Sequence, residues 1–232
     1  MRHLHLPPWG RQMDAHVIVY PEGGAGDCIQ GFAGALKLAQ RVARVTVEAP
    51  TDMLDLLRAS MPPSIPVVHR SDGGATHRLS VRDLHCYRGH APFLKPGGRT
   101  YCETRPTILL HWAGGALTPH NAQRSFTPTQ FQPLFDVIPN ATAWTRCADM
   151  SSWSETARNI SGVRAVIGCD SGPVHIAAAL GIPTIVVTRP ECPDRRWDGA
   201  RPLYTAAVTV ASVEEALVAY RRMFPVEEAA PC

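Results

Sequence analysis

An α/β fold of two small lobes, each built on a parallel sheet, is the architecture this sequence predicts. Three observations carry that expectation. Strand-length apolar runs alternate with helix-period segments from Ala15 to His69. The alternation lapses between Arg70 and Thr104, where Lys95-Pro-Gly-Gly-Arg99 has a linker's composition, and resumes at Thr107. Val166 to Val187 then reads as strand, polar loop, small-residue helix and second strand.

The elements follow in order. Ala15-His-Val-Ile-Val-Tyr20 is a buried strand, and Pro21 to Asp27 a glycine-rich turn. A helix is expected from Cys28 to Ala43, with Ile29, Phe32, Ala33 and Leu36 near one face. Arg44 to Glu48 is the next strand, and Thr51 or Asp52 can cap a helix that runs to Ser60. Ile65 to His69 and Val81 to Tyr87 are short strands. In the second half, Thr107 to Trp112 is a strand, and Thr127-Pro128 opens a helix that ends near Val137. Ser152 to Ile160 and Val213 to Met223 are helices. The predicted division is a tail over 1–14, an N-terminal Rossmann-like lobe over 15–95, a linker over 96–106 and a C-terminal Rossmann-like lobe over 107–232. Lobes this small are expected to share an interface.

Bulk properties narrow the function. Of the 232 residues 45% are apolar, enough for a packed core, and the formal charge of +3 does not by itself argue for nucleic acid. The seven cysteines are odd in number and form no C-x-x-C pair, which predicts reduced thiols and a cytoplasmic protein. His85, Cys86, His90 and Cys102 lack metal-site spacing, so no metal ligands are assigned. No apolar run approaches membrane-spanning length, and Met1 to Gln12 has no apolar signal-peptide core.

Four constellations can carry chemistry. In Gly23-Gly-Ala-Gly-Asp27 the glycines allow a sharp turn and close backbone approach, and Asp27 is either a helix cap or a cleft-facing general base. A dinucleotide fingerprint is weak here, because Ile29 stands where the last glycine belongs, although Glu48 has the position of a ribose ligand. Arg124 follows His111-Trp-Ala-Gly-Gly115 and has the fork geometry for phosphate oxygens. Asp170-Ser-Gly-Pro-Val-His175 opens a helix, whose amides attract an anion; Ser171 and those amides suit a diphosphate, and Asp170 more plausibly fixes the loop than faces a phosphate. His175 is either a core histidine or a sugar or phosphate contact. Arg195, Arg196 and Trp197 suit the rim of a nucleotide site. No Asp-x-Asp pair occurs, which makes metal-free phosphate binding the expectation.

Together these motifs resemble the ADP-heptose:LPS heptosyltransferase-like glycosyltransferases, and within them the branch associated with tetratricopeptide repeats. The resemblance lies in Gly24-Ala-Gly-Asp-Cys-Ile-Gln30, Ala43 to Glu48, Leu110-His-Trp-Ala-Gly114 with Gln123-Arg-Ser125, Val166 to Val187, Pro193 to Trp197 and Pro202-Leu-Tyr204. It implies a GT-B-like architecture with parallel sheets facing a cleft, and an inverting, metal-independent sugar transfer without a cofactor. A nucleotide-diphosphate sugar would be the donor. The implied donor side comprises Gly24, Gly26, Trp112, Arg124, Ser171, Gly172, Pro173, His175, Arg195, Arg196 and Trp197, with Asp170 structural and Asp27 the catalytic base. The acceptor would be a carbohydrate, protein or nucleic-acid hydroxyl. The chain is shorter than the family pattern and has Asp194-Arg-Arg-Trp197 in place of Trp-Arg-Trp. That leaves two alternatives: a non-catalytic nucleotide-sugar-binding protein, or a glycosyltransferase acting on DNA or modified nucleobases.

Overall fold

The structure, a computed structural model, describes residues 12–71, 74–85, 87, 89–95, 107–114, 119–143, 152–189, 197 and 203–225. The N-terminal tail before Gln12, the 96–106 linker, Cys86, Cys102, Arg195 and Arg196 lie outside these residues.

The first half forms strand β1 (Gln12–Tyr20), helix α1 (Ala25–Leu38), β2 (Val42–Glu48), α2 (Leu54–Ser60), β3 (Val67–Val68) and β4 (His77–Ser80). All pairings are parallel, in the order β3-β2-β1-β4. The second half forms β5 (Ile108–His111), α3 (Pro119–Arg124), α4 (Pro128–Val137), β6 (Ala141–Ala143), α5 (Trp153–Ser161), β7 (Ala165–Cys169), α6 (Gly172–Leu180), β8 (Thr184–Val187), β9 (Ala207–Val210) and α7 (Val213–Met223). Its sheet is also parallel, in the order β6-β5-β7-β8-β9. No helix among the described residues is long and apolar enough to cross a membrane.

These orders position the site. In each sheet the chain winds outward from a central strand and then returns to that strand's other side. The switch points fall between β1 and β4 and between β5 and β7. Loops at the carboxyl ends of such strands splay apart and leave a crevice open to ligands.

Several boundaries differ from the sequence expectation, each for a local reason. Helix α1 begins at Ala25 rather than Cys28, because Asp27 accepts a hydrogen bond from the Gly24 amide at 2.8 Å and caps the helix early. Val81 to Leu84 is a 3₁₀ turn, not a strand. Ser80 Oγ accepts from the Arg82 amide at 3.1 Å, and Asp83 Oδ2 from the Ser80 amide at 2.8 Å. The paired strand is His77–Ser80, just before it. The Ile65–His69 expectation contracts to the two residues of β3.

One apolar cluster runs through both lobes, from Val17, Val19 and Phe32 to Trp153, Val174 and Ile176. A second, with Ile108, Leu110, Phe131, Leu134 and Ile167, lies on the other face of the second sheet. The lobes are also tied by a hydrogen bond from Trp153 Nε1 to Asp52 Oδ2 at 2.8 Å. The segment before the linker crosses over: Phe93 and Leu94 amides both donate to the Ala179 carbonyl, at 2.8 and 3.0 Å.

Close packing makes α1 intolerant of added volume. A Cβ at Gly31 would lie 2.6 Å from Val81 Cα and 2.7 Å from its carbonyl oxygen, atoms of the chain that cannot swing aside. Gly31→Ala is therefore expected to cost about 1–3 kcal/mol, read as a lowered midpoint in thermal unfolding.

Candidate active site

The first switch point presents Asp27. The turn before it needs glycine, since Gly23 has φ +88° and a Cβ there would meet Asp27 Oδ2 at 2.5 Å and Arg82 Nη2 at 3.0 Å. Asp27 and Arg82 thus approach the same point from the β1 and β4 ends. Arg82 also faces Glu22 at 3.5 Å, and Ser80 Oγ donates to Glu22 Oε2 at 2.5 Å. Asp27 is half-buried. A carboxylate offers about four acceptor positions, so capping Gly24 does not exhaust it. Gly24 is exposed and Gly26 half-buried.

The second switch point is organised around Asp170, which is 6% exposed. Its Oδ2 accepts from Arg124 Nη1 at 2.7 Å. Its Oδ1 accepts from Trp197 Nε1 at 2.8 Å and contacts His175 Nε2 at 3.0 Å. His175 Nδ1 lies 3.0 Å from the Tyr204 hydroxyl. An ionised carboxylate only accepts, so Nε2 carries the hydrogen, and in the neutral ring Nδ1 accepts from Tyr204. Arg124 Nη2 donates to Asn121 Oδ1 at 2.9 Å, while its buried Nε–H has no acceptor. The Arg124 side chain is 19% exposed.

Not every expected donor residue presents its side chain. His175, Pro173 and Trp197 are buried, so they stand behind the loop rather than on its surface. The expectation of a Trp197 rim is corrected by its position: the indole is only 2% exposed and points at Asp170. The indole of Trp112 packs over α4, with ring centroids 6.5 Å from Phe131 and 6.1 Å from Phe135. Ser171 and Gly172 are half-buried at the start of α6, and Ser171 Oγ donates to the Cys169 carbonyl at 3.0 Å. Asp170, expected to fix the loop by accepting amide hydrogen bonds, accepts from the Arg124, Trp197 and His175 side chains. Glu48 is buried, with its oxygens turned to Arg78 at 2.7 Å and the Ser71 amide at 2.9 Å, and so does not face a ribose.

The two switch points meet. The amino ends of α1 and α6 pack face to face. A Cβ at Gly26 would meet the His175 ring at 2.6 Å, and one at Gly172 would meet Trp153 at 2.8 Å and Ala25 Cβ at 3.2 Å. Both helix starts carry positive partial charge, so their convergence favours anions there.

Two further cations escaped the sequence reading. One is Arg82. The other is Arg189, two residues beyond β8, whose Cζ lies 4.5 Å over the Phe126 ring and whose Nη2 donates to Gln130 Oε1 at 3.0 Å. Position at a parallel strand's carboxyl end is the signal that marks both.

The two described cysteines flanking the site are inert as nucleophiles. Burial first, then the Asp27 charge, pushes the Cys28 thiol up from 9.0 to about 12. Burial and Asp170 do the same to Cys169. The fold holds both thiols protonated. That advantage is intact below the unfolded value near 9 and is lost as pH rises from there towards 12. Unfolding midpoints should fall over that window, and less steeply in a Cys169→Ala variant.

Residues 140–222 match the family model of glycosyltransferase family 9 (heptosyltransferase). No curated protein matches the chain by sequence. Among solved structures, the chain is similar to TibC from enterotoxigenic E. coli, a bacterial iron-containing dodecameric glycosyltransferase, at 13% identity and TM-score 0.58 over 83% of this chain. TibC has also been solved with ADP-D-beta-D-heptose. The chain spans 62% of TibC's length. It is similar to E. coli ADP-heptose lps heptosyltransferase II at 14% identity and TM-score 0.53, covering 90% of this chain and 98% of that one. For E. coli heptosyltransferase WaaC with ADP the values are 10%, 0.54, 89% and 99%. The heptosyltransferase-like resemblance is thus supported in sequence over 140–222, and the GT-B-like α/β fold over most of the chain.

Proposed function

We propose that this chain is a glycosyltransferase that moves a sugar from a nucleotide-diphosphate sugar to an acceptor hydroxyl. The observation that carries the reading is the meeting of two switch points, with Asp27 on one lobe and Arg124 with the α6 amino end on the other. Arg124 donors and the α6 amides hold the donor diphosphate and offset the charge that grows on it. Asp27 takes the acceptor proton from across the crevice. The acceptor oxygen attacks the anomeric carbon as the bond to the diphosphate oxygen breaks, and that bond's electron pair leaves with the nucleoside diphosphate. One displacement inverts the anomeric centre. The α6 amides and the directed Arg124 donors stabilise that charge, and the transfer is metal-independent and proceeds in a chelator. An ADP-sugar is the first donor to try, because TibC and WaaC have been solved with ADP-D-beta-D-heptose and ADP.

Arg124→Lys keeps the charge and removes the fork. It is expected to weaken nucleoside-diphosphate binding about 10–100-fold in calorimetry. Wild-type affinity for no nucleoside diphosphate or nucleotide sugar would remove the reading.

A further inference from the structure

Asp170 aims Arg124, but something must aim Asp170. Its Oδ1 accepts from two donors, Trp197 Nε1 and His175 Nε2, and the second is itself oriented by the Tyr204 hydroxyl. The three rings pack on one another: centroids are 4.6 Å apart for His175 and Trp197, and 5.7 Å apart for Tyr204 with either. Tyr204 and His175 are fully buried and Trp197 nearly so. Side chains packed this tightly have few rotamers to choose from. The open edge of the His175 ring is covered by Gly26 of the other lobe, where even a methyl group would not fit.

The Arg124–Asp170 pair carries no net charge, so its hold on a diphosphate depends on the direction of the arginine's remaining donors rather than on bulk attraction. Direction is what this ring set controls. We propose that Tyr204, His175 and Trp197 are positioning residues that act through Asp170 to hold the Arg124 guanidinium in its diphosphate-binding orientation, with Gly26 of the first lobe closing the set. This rests on the donor-site reading above. Its consequence is that donor affinity responds to a buried hydroxyl that touches no donor atom.

The test is a double-mutant cycle on ADP, UDP and GDP affinity, with Tyr204→Phe made in the wild-type chain and in Arg124→Ala. Tyr204→Phe is expected to weaken binding about fivefold alone and less than about twofold in the Arg124→Ala background. Equal losses in both backgrounds, or none in either, would overturn the proposal. If the wild-type chain binds none of the three, the donor-site reading has failed. Side-chain ¹⁵N NMR then still decides on positioning. Tyr204→Phe should shift the His175 ring nitrogens and the Arg124 Nη signal, the latter identified by its loss in Arg124→Lys. An unmoved Arg124 signal would overturn the proposal.

Discussion

Replacing Asp27 with asparagine is expected to lower sugar transfer about 10²–10⁴-fold while leaving nucleotide-sugar affinity nearly unchanged. The substitution separates the two roles this residue could have. As a helix residue, Asp27 accepts the Gly24 amide at 2.8 Å. Asparagine's carbonyl oxygen can accept the same bond, so α1 should keep its start and the unfolding midpoint should move little. As a base, asparagine cannot take a proton at neutral pH. Steady-state kinetics should therefore show the loss in kcat with KM for the donor held. A fully active variant would show that Asp27 only caps the helix, and that another group accepts the proton.

The second large effect is on stability. Asp170→Ala removes an acceptor that serves Arg124, His175 and Trp197 at 2.7, 3.0 and 2.8 Å. It leaves a poorly solvated guanidinium without its counter-charge and two buried N–H groups without their acceptor. Breaking such a pair from one side costs about 3–5 kcal/mol, which for a chain of this size lowers the unfolding midpoint by roughly 10 °C. Asp170→Asn should cost less, since its carbonyl oxygen can still accept from Trp197 and His175, and only the bond and counter-charge at Arg124 are lost. Thermal unfolding followed by circular dichroism checks both. A shift under about 2 °C for Asp170→Ala would show that the hub is not an energetic centre.

The parts of this fold legible in the sequence are those written in local pattern. Apolar runs such as His16 to Val19 and Val166 to Cys169 could only be buried strands, and the helices capped by Thr127 and Ser212 announce their starts. Parallel connectivity follows from the alternation. The edge strands β6 and β9 were not legible: they are three and four residues long and mostly lack buried side chains, so they leave no periodic trace. The Val81 turn was misread because its apolar residues suggest a strand, whereas the Ser80 and Asp83 capping bonds set a 3₁₀ turn.

The site divides in the same way. Asp27, Arg124 and Asp170 could be singled out as candidates because each lies in the segment beyond a strand and has the right chemistry. The pairing of Arg124, His175 and Trp197 around Asp170 could not. Its partners lie 46, 5 and 27 residues away in the chain, and only the folded sheet order brings them together. The same holds for Tyr204, marked in sequence only by its place in Pro202-Leu-Tyr204, and for Gly26, which packs against a histidine on the other lobe.

The central claim is that the two switch points form one reaction site. Its most direct test is release of nucleoside diphosphate from nucleotide sugars, ADP-heptose first, in the presence of candidate acceptors and a chelator, comparing the wild-type chain with Asp27→Asn. Acceptor-dependent release is expected from the wild-type chain, unaffected by the chelator and lost in Asp27→Asn, although both proteins bind the donor. Tight donor binding by both with no release by either, on every acceptor tried, would contradict it and leave a binding protein in place of an enzyme.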